Sequence, residues 1–223
     1  MATPDPVAGE WAIELIPVND TGRAFYLQQY KPFRLAALKQ DAEAFGSTYA
    51  REAAFPDETW LQRLSNPRVK TFVAVRLHDR RILSAVSLVG PMHGAEQTVS
   101  NPTRAVLSQA RPSDCGNSDA VLLLYQNTGV YTRPEARGKG LGLRLMATAV
   151  ESARQEARRL LVEKGSSSSN KQQCRLGVEV YKTNHAAIAF YQKCGFEVTA
   201  KAPGSDDDEK RPEACMYYKN LLD

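Results

Sequence analysis

The chain has 223 residues, 43% of them apolar and 24% charged, and a net charge of +4. That length supports one sizeable core, the composition is that of an ordinary globular protein, and no apolar run approaches the roughly 18 residues of a membrane span. The mild positive charge suits an anionic ligand but is too diffuse to argue for nucleic acid.

Residues 1–10 are expected to form a flexible tail, with no basic and apolar stretch of the kind that makes a secretory signal. Residues 11–223 are expected to form a single domain. Cys115, Cys174, Cys194 and Cys215 are widely spaced and make no C-x-x-C pair, and His78, His93 and His185 offer no ligand spacing. No metal site is therefore expected, and the thiols are expected to be buried and reduced, as in a cytoplasmic protein.

Periodicity orders the elements. Trp11 to Val18 is a short strand. Thr21 to Gln40 is a helix with Phe25, Leu27, Tyr30, Phe33, Leu35 and Leu38 as its apolar positions, and Pro32 predicts a kink or an early break. Pro56 to Leu64 is a second helix that buries Trp60, Leu61 and Leu64. Lys70 to Leu77 and Ile82 to Val89 form a strand pair joined by the turn His78-Asp79-Arg80. Segment 91–120, with Pro91, Pro102 and Pro112, reads as a surface insertion or a functional loop. Val121 to Thr132 is the central strand. Leu141 to Val162 is a long helix with Leu145, Met146, Ala149, Val150, Ala153, Ala157 and Leu160 on one stripe. Ser166 to Ser169 is a flexible insertion. Leu176 to Tyr181 is a strand, followed by a short helix capped by Asn184. Phe196 to Ala200 and Cys215 to Leu221 close as a hairpin, whose loop carries the acidic run Asp206-Asp207-Asp208-Glu209. That run is either a solvated turn or a patch that attracts a cationic ligand.

The most informative stretch is Arg137-Gly138-Lys139-Gly140-Leu141-Gly142, set between the central strand and the long helix. Glycines let the backbone turn sharply and present its N–H groups to a ligand. The helix start adds unpaired donors and a partial positive charge, and Arg137 and Lys139 add full charge, so a pyrophosphate is the expected ligand. The stretch lacks the spacing of a Walker loop. It departs from the dinucleotide fingerprint at Leu143, where a glycine is required. By itself the hexapeptide also fits a turn that only joins strand to helix.

A second block lies downstream. Val180-Tyr181-Lys182-Thr183-Asn184 leads into a helix on which Ala187, Ile188 and Tyr191 share a face. Phe190 is expected in the core, Gly195 suits the left-handed end of the helix, and Phe196 restarts a strand. Together the R-x-x-G-x-G block at Arg137 to Gly142 and the V-x-x-x-N-x-x-A-x-x-F-Y-x-K-x-G-F block at Val180 to Phe196 resemble the GNAT superfamily of acetyl-coenzyme A dependent N-acetyltransferases. Pro134-Glu135-Ala136 is similar to the family's lead-in. Arg34 to Leu38 and Ala44 to Thr48 are similar to the first helical hairpin of one large subgroup.

The resemblance implies an α/β, mixed α+β fold with a central, mostly antiparallel, twisted sheet flanked by helices. It implies acetyl-CoA as co-substrate and no metal, with direct transfer to a primary amine in a ternary complex. The backbone of Gly138, Lys139, Gly140, Leu141, Gly142 and Leu143 would bind the pyrophosphate with help from Arg137. Edge groups of Val130, Tyr131 and Thr132 would pair with the pantetheine amides as an added strand would, with Gly129 marking a bulge. Tyr191 would protonate the leaving thiolate, or it is simply core. Asn184 would bind the cofactor, cap its helix, or both. For the general base, Tyr125, Asp119 and Glu179 remain open. The partner is a small-molecule or protein amine, with neither nucleic acid nor membrane expected, in a monomer or homodimer. The other reading is an acyl-CoA-binding sensor or interaction module of the same fold without turnover.

Overall fold

The computed structural model describes residues 10–93, 122–163, 173–201 and 214–222. The expected tail, the insertion after His93, the serine run and the acidic loop fall outside them, as do Cys115 and Asp119. The elements are β1 (Trp11–Leu15), α1 (Asp20–Phe25), α2 (Lys31–Gln40), α3 (Tyr49–Ala53), α4 (Asp57–Ser65), β2 (Val69–Arg76), β3 (Ile82–His93), β4 (Leu122–Thr132), α5 (Leu141–Glu163), β5 (Gln173–Tyr181), α6 (His185–Lys193), β6 (Glu197–Lys201) and β7 (Ala214–Asn220). A π-helical turn, Tyr26–Tyr30, joins α1 to α2. Among the described residues no helix is long and apolar enough to cross a membrane.

The hydrogen-bonded strand order is β1-β2-β3-β4-β5-β7-β6. The chain divides into two compact units, Met1–Leu88 with Gly129–Ala149, and Val89–Thr128 with Val150–Asp223. β3, β4 and α5 each run from one into the other. In the first unit β1 pairs antiparallel with β2, from Trp11↔Arg76 to Leu15↔Phe72. In the second, β4 pairs parallel with β5 from Leu122↔Gln173 to Gln126↔Gly177. There β5 pairs antiparallel with β7, and β7 with β6, so the closing hairpin inserts its last strand between β5 and β6.

Of the kink or early break expected at Pro32, the early break does not occur, and helical structure continues through it to Gln40. Proline cannot donate a backbone hydrogen bond and its ring crowds the preceding turn. The helix absorbs this by widening for one turn, and the Lys31 N–H bonds the Tyr26 carbonyl five residues back. Such a turn shifts the buried face. It runs through Tyr26, Tyr30, Phe33 and Ala37, which pack with Trp60, Val73, Val75, Ala85 and Tyr131, and through Leu38, which is also buried. The expected positions Phe25, Leu27 and Leu35 are only partly buried at its margin. On α4, Leu61 is half-buried while Trp60 and Leu64 are buried. The stripe of α5 is as expected through Ala157, after which Leu161 takes the buried place assigned to Leu160, four residues on. Gly22 in α1 lies so close to Pro17 that any Cβ there would run into the Pro17 carbonyl.

A buried ion cluster joins three helices of the first unit. Glu52 on α3 is 2% exposed and accepts both Arg34 Nε and Nη2 of α2, at 3.2 and 2.9 Å, and Arg63 Nη1 of α4 at 3.1 Å. Burial alone would raise the Glu52 carboxyl. The hydrogen bond and charge of Arg34, a hydrogen bond from Ser47 and the charge of Arg63 outweigh it and hold the carboxyl below the ordinary glutamate value. α3 escaped the sequence reading because it is five residues long.

A depressed carboxyl stabilises the fold above its unfolded value and loses that contribution as pH falls through the folded one. Glu52→Gln should therefore cost about 3 kcal/mol near pH 7, the usual cost of breaking a buried pair. The gap to the parent should close as pH drops below about 4.3. Urea unfolding from pH 7 to pH 3 measures both, and an equal gap at every pH would show that the cluster is not held by charge.

Candidate functional site

The end of β4 leads through a tight turn, Pro134–Ala136, into the glycine stretch. Ala136 and Leu141 are buried with Ala74 and Leu83, which pins the stretch at both ends. Between these anchors Gly138 and Gly140 adopt φ of +76° and +75°. A Cβ at either would meet nothing within 4 Å, so glycine is there for its left-handed backbone and not for lack of room. The Arg144 N–H bonds the Gly140 carbonyl at 3.1 Å, so the helix begins at Gly140. The first-turn N–H groups of Leu141, Gly142 and Leu143 precede any intrahelical partner. No acidic side chain stands in that turn to occupy them. Leu141 is buried while Leu143 is 42% exposed.

Arg137 is held by its own unit. Its Nε donates to the Thr132 carbonyl at 3.0 Å and its Nη2 to Asp41 Oδ2 at 2.8 Å. The guanidinium lies over the Tyr131 ring, 5.5 Å from its centroid. The same Asp41 oxygen accepts the Tyr131 hydroxyl at 2.8 Å. Burial first, and the adjacent Asp41 second, push the Tyr131 phenol up to about 12. Arg137 therefore ties the glycine stretch to the end of α2. The sequence reading missed Asp41, which follows an ordinary helix end and belongs to neither motif.

The edge of β4 is divided by strand alternation. The Ser84 hydroxyl donates to the Tyr131 carbonyl at 3.0 Å, and the Arg133 N–H bonds the Leu83 carbonyl at 2.8 Å. The main chain of Tyr131 thus faces β3, and Val130 and Thr132 turn their groups to the opposite edge. Pairing with β5 ends at Gln126↔Gly177, although β4 continues to Thr132 and β5 to Tyr181. Gly129, with φ of +61°, breaks the strand's regular twist just before Val130. The Thr132 carbonyl already accepts from Arg137, which leaves the Val130 groups and the Thr132 N–H on that edge.

Asn184 and Tyr191 lie in the second unit. The Asn184 side-chain oxygen accepts the Ala187 N–H at 3.0 Å, a helix cap as its place before α6 predicts. Gly195 takes φ of +79°, and the Lys219 ammonium donates to the Cys194 carbonyl at 3.1 Å. Tyr191 is buried, with its ring edge-on to Phe190 at 5.2 Å and Phe196 at 5.8 Å. Burial, and to a smaller degree nearby Cys194, raise its phenol well above the ordinary tyrosine value. Phe190, expected in the core, is half-buried. Of the candidate bases, Tyr125 is fully buried, and that burial raises its phenol above the ordinary tyrosine value. Glu179 is exposed on β5 between buried Val178 and Val180. Among the described residues no cluster of His, Cys, Asp and Glu could hold a metal ion.

Residues 110–198 match the family model of the acetyltransferase (GNAT) domain. Both sequence blocks, Arg137 to Gly142 and Val180 to Phe196, lie inside that match. The fold of the chain is that of solved GNAT structures. Arabidopsis thaliana NAA60 in complex with acetyl-CoA shares 14% identity over 94% of this chain and 98% of that one, with a TM-score of 0.55. Salmonella typhimurium yncA, solved with its cofactor acetyl-CoA, shares 15% over 96% and 95%, with a TM-score of 0.57. A point mutant of the spermidine N-acetyltransferase SpeG from Vibrio cholerae shares 11% over 95% and 94%, with a TM-score of 0.52. No curated protein sequence matches the chain significantly.

The surroundings of the glycines predict an asymmetry between them. Gly140→Ala should cost about 1 kcal/mol, the strain of a left-handed alanine, since nothing crowds it. Gly22→Ala should cost several times more, because its Cβ meets the Pro17 carbonyl. Urea denaturation of both variants measures the difference, and equal costs would contradict the steric assignment.

Proposed function

We propose that the protein transfers an acetyl group from acetyl-CoA to a primary amine, directly, in a ternary complex. One observation carries this reading: a loop with two left-handed glycines opens a long helix at the end of a strand whose outer edge is released from β5 after Gln126. The free N–H groups of Leu141 to Leu143, with those of Gly138 to Gly140, suit a pyrophosphate. Lys139 adds charge, while Arg137 shapes the loop from its bonds to Thr132 and Asp41. Main-chain groups of Val130 and Thr132 suit the pantetheine amides, as in strand addition. Of the expected trio, Tyr131 contributes through its side chain, which braces Asp41 and Arg137.

In the proposed reaction the neutral amine nitrogen attacks the thioester carbon. A C–N bond forms, the C–S bond breaks, the departing thiolate takes the Tyr191 proton, the amine loses a proton to solvent, and solvent returns one to Tyr191. Tyr191 receives this role from its place in the second sequence block. Burial keeps that phenol protonated at neutral pH and also makes it a weaker acid, so its proton moves only once the full charge of the departing thiolate has developed. Asn184 caps α6 and keeps its amide N–H groups for the cofactor.

Tyr191→Phe should lower kcat by about 10² while acetyl-CoA affinity stays nearly constant. Because the phenol lies above its ordinary value of about 10, the parent's kcat should show no alkaline fall below about pH 10. Thiol release across an amine panel, with calorimetry for affinity, measures both. Full turnover in the variant would remove Tyr191 from the reaction. Tight acetyl-CoA binding without thiol release from any amine would favour a silent acyl-CoA sensor. Gly140→Val should abolish measurable acetyl-CoA binding in the folded protein, since a branched side chain blocks close phosphate approach.

A further inference from the structure

Two buried hydrogen-bond donors converge on the one residue of β4 that has no side chain. The Arg34 guanidinium uses Nε and Nη2 for Glu52 and lies over the Phe45 ring at 4.5 Å. Its third nitrogen, Nη1, is buried and has no hydrogen-bond partner among the described residues. That nitrogen lies 3.8 Å from the point where a Cβ on Gly129 would sit, and the Tyr30 hydroxyl lies 3.8 Å from the same point. Among the described residues no other atom comes within 4 Å of it outside the neighbouring chain. Both atoms nearest to that point are therefore polar. A buried charged donor left unpaired costs free energy, so this arrangement calls for an oxygen.

The position of the niche gives it meaning, and this step rests on the transferase reading above. If the pyrophosphate lies at the glycine loop and the pantetheine runs back along Thr132 and Val130, the next residue is Gly129. The thioester end therefore meets the niche. We propose that Arg34 and Tyr30 seat a carbonyl or carboxylate oxygen of the acceptor, and that the acceptor is an α-amino carbonyl compound: an amino acid, an amino amide or a peptide N-terminus. In such a molecule the oxygen stands two bonds beyond the carbon bearing the amine, so one contact orients the nitrogen. Charge agrees with this class. Arg34 and Arg63 share the single carboxylate of Glu52, so the cluster is cationic. It favours an electron-rich oxygen and opposes the second ammonium of a polyamine.

The test compares L-alaninamide with isopropylamine, which has the same branched carbon without the carbonyl, and with spermidine. Rates of thiol release from acetyl-CoA are taken per neutral amine with the full chain. The amide should be preferred over both. Tyr30→Phe keeps the ring stacked on Tyr26, whose centroid is 4.5 Å away, so the fold should survive. It should lower the preference for the amide over isopropylamine about tenfold, by loss of one hydrogen bond. Arg34→Lys keeps the charge, loses the fork and should lower the same ratio. A ratio unmoved in both variants, or a preference for spermidine, overturns the proposal and leaves the transferase reading standing. An equal fall for both amines assigns the donors to the thioester oxygen and also overturns it. No thiol release with any amine removes the transferase reading, and the proposal with it.

Discussion

A single carboxylate oxygen organises the proposed cofactor end of the molecule. Asp41 Oδ2 accepts both the Tyr131 hydroxyl and the Arg137 guanidinium, each at 2.8 Å. The first bond ties the end of α2 to β4, and the second ties it to the start of the glycine loop. The Arg137 Nε bond to the Thr132 carbonyl closes the link from the other side. Without these bonds a loop with two left-handed glycines has many conformations open to it, since glycine carries the largest backbone entropy of any residue. The bonds lower that freedom before any ligand arrives, which is the condition for tight binding by main-chain donors.

Glycine recurs where the chain needs a backbone other residues resist. Gly129 interrupts β4, Gly138 and Gly140 shape the loop, and Gly195 ends α6, all with φ between +61° and +79°. Their surroundings differ. The loop glycines face open space and Gly129 faces two polar groups, whereas a Cβ on Gly195 would sit 2.5 Å from the Lys219 ammonium. Conformation explains the first two and conformation with packing explains the last. At Gly129 the missing side chain also leaves room beside Arg34 and Tyr30.

The first unit holds its charges in small, closed groups. Glu52 serves two arginines, and Asp41 serves Arg137 and a phenol. Glu14 takes both terminal nitrogens of Arg80 at 2.7 and 2.8 Å. Exposed pairs such as the last contribute little. The buried one is different in kind, because removing either partner strands a charge away from water. In a helical hairpin widened by a π-turn and built partly from a five-residue helix, that cluster replaces contacts that longer helices would make by packing alone.

The elements were legible in the sequence wherever a period ran long enough. The α5 stripe, the strands around Val75 and Val86, the Asn184 cap and the left-handed Gly195 follow from spacing and from residue types with few alternatives. The two motif blocks pointed to the GNAT fold for the same reason. Where Pro32 falls, sequence alone predicts a kink or an early break, and only the structure shows that one widened turn, with Tyr26 and Tyr30 buried, carries the helix through. The expected trio on the β4 edge was split because side chains alone do not show which way each main-chain group faces; the Ser84 bond to Tyr131 does. Asp41, Glu52 and the Arg34 niche were illegible, since each depends on residues distant in sequence meeting in space. Local patterns determine elements because their physics acts over one turn or one strand pair. A charge cluster or a donor pair depends on tertiary distances, which decide its partners and its energy.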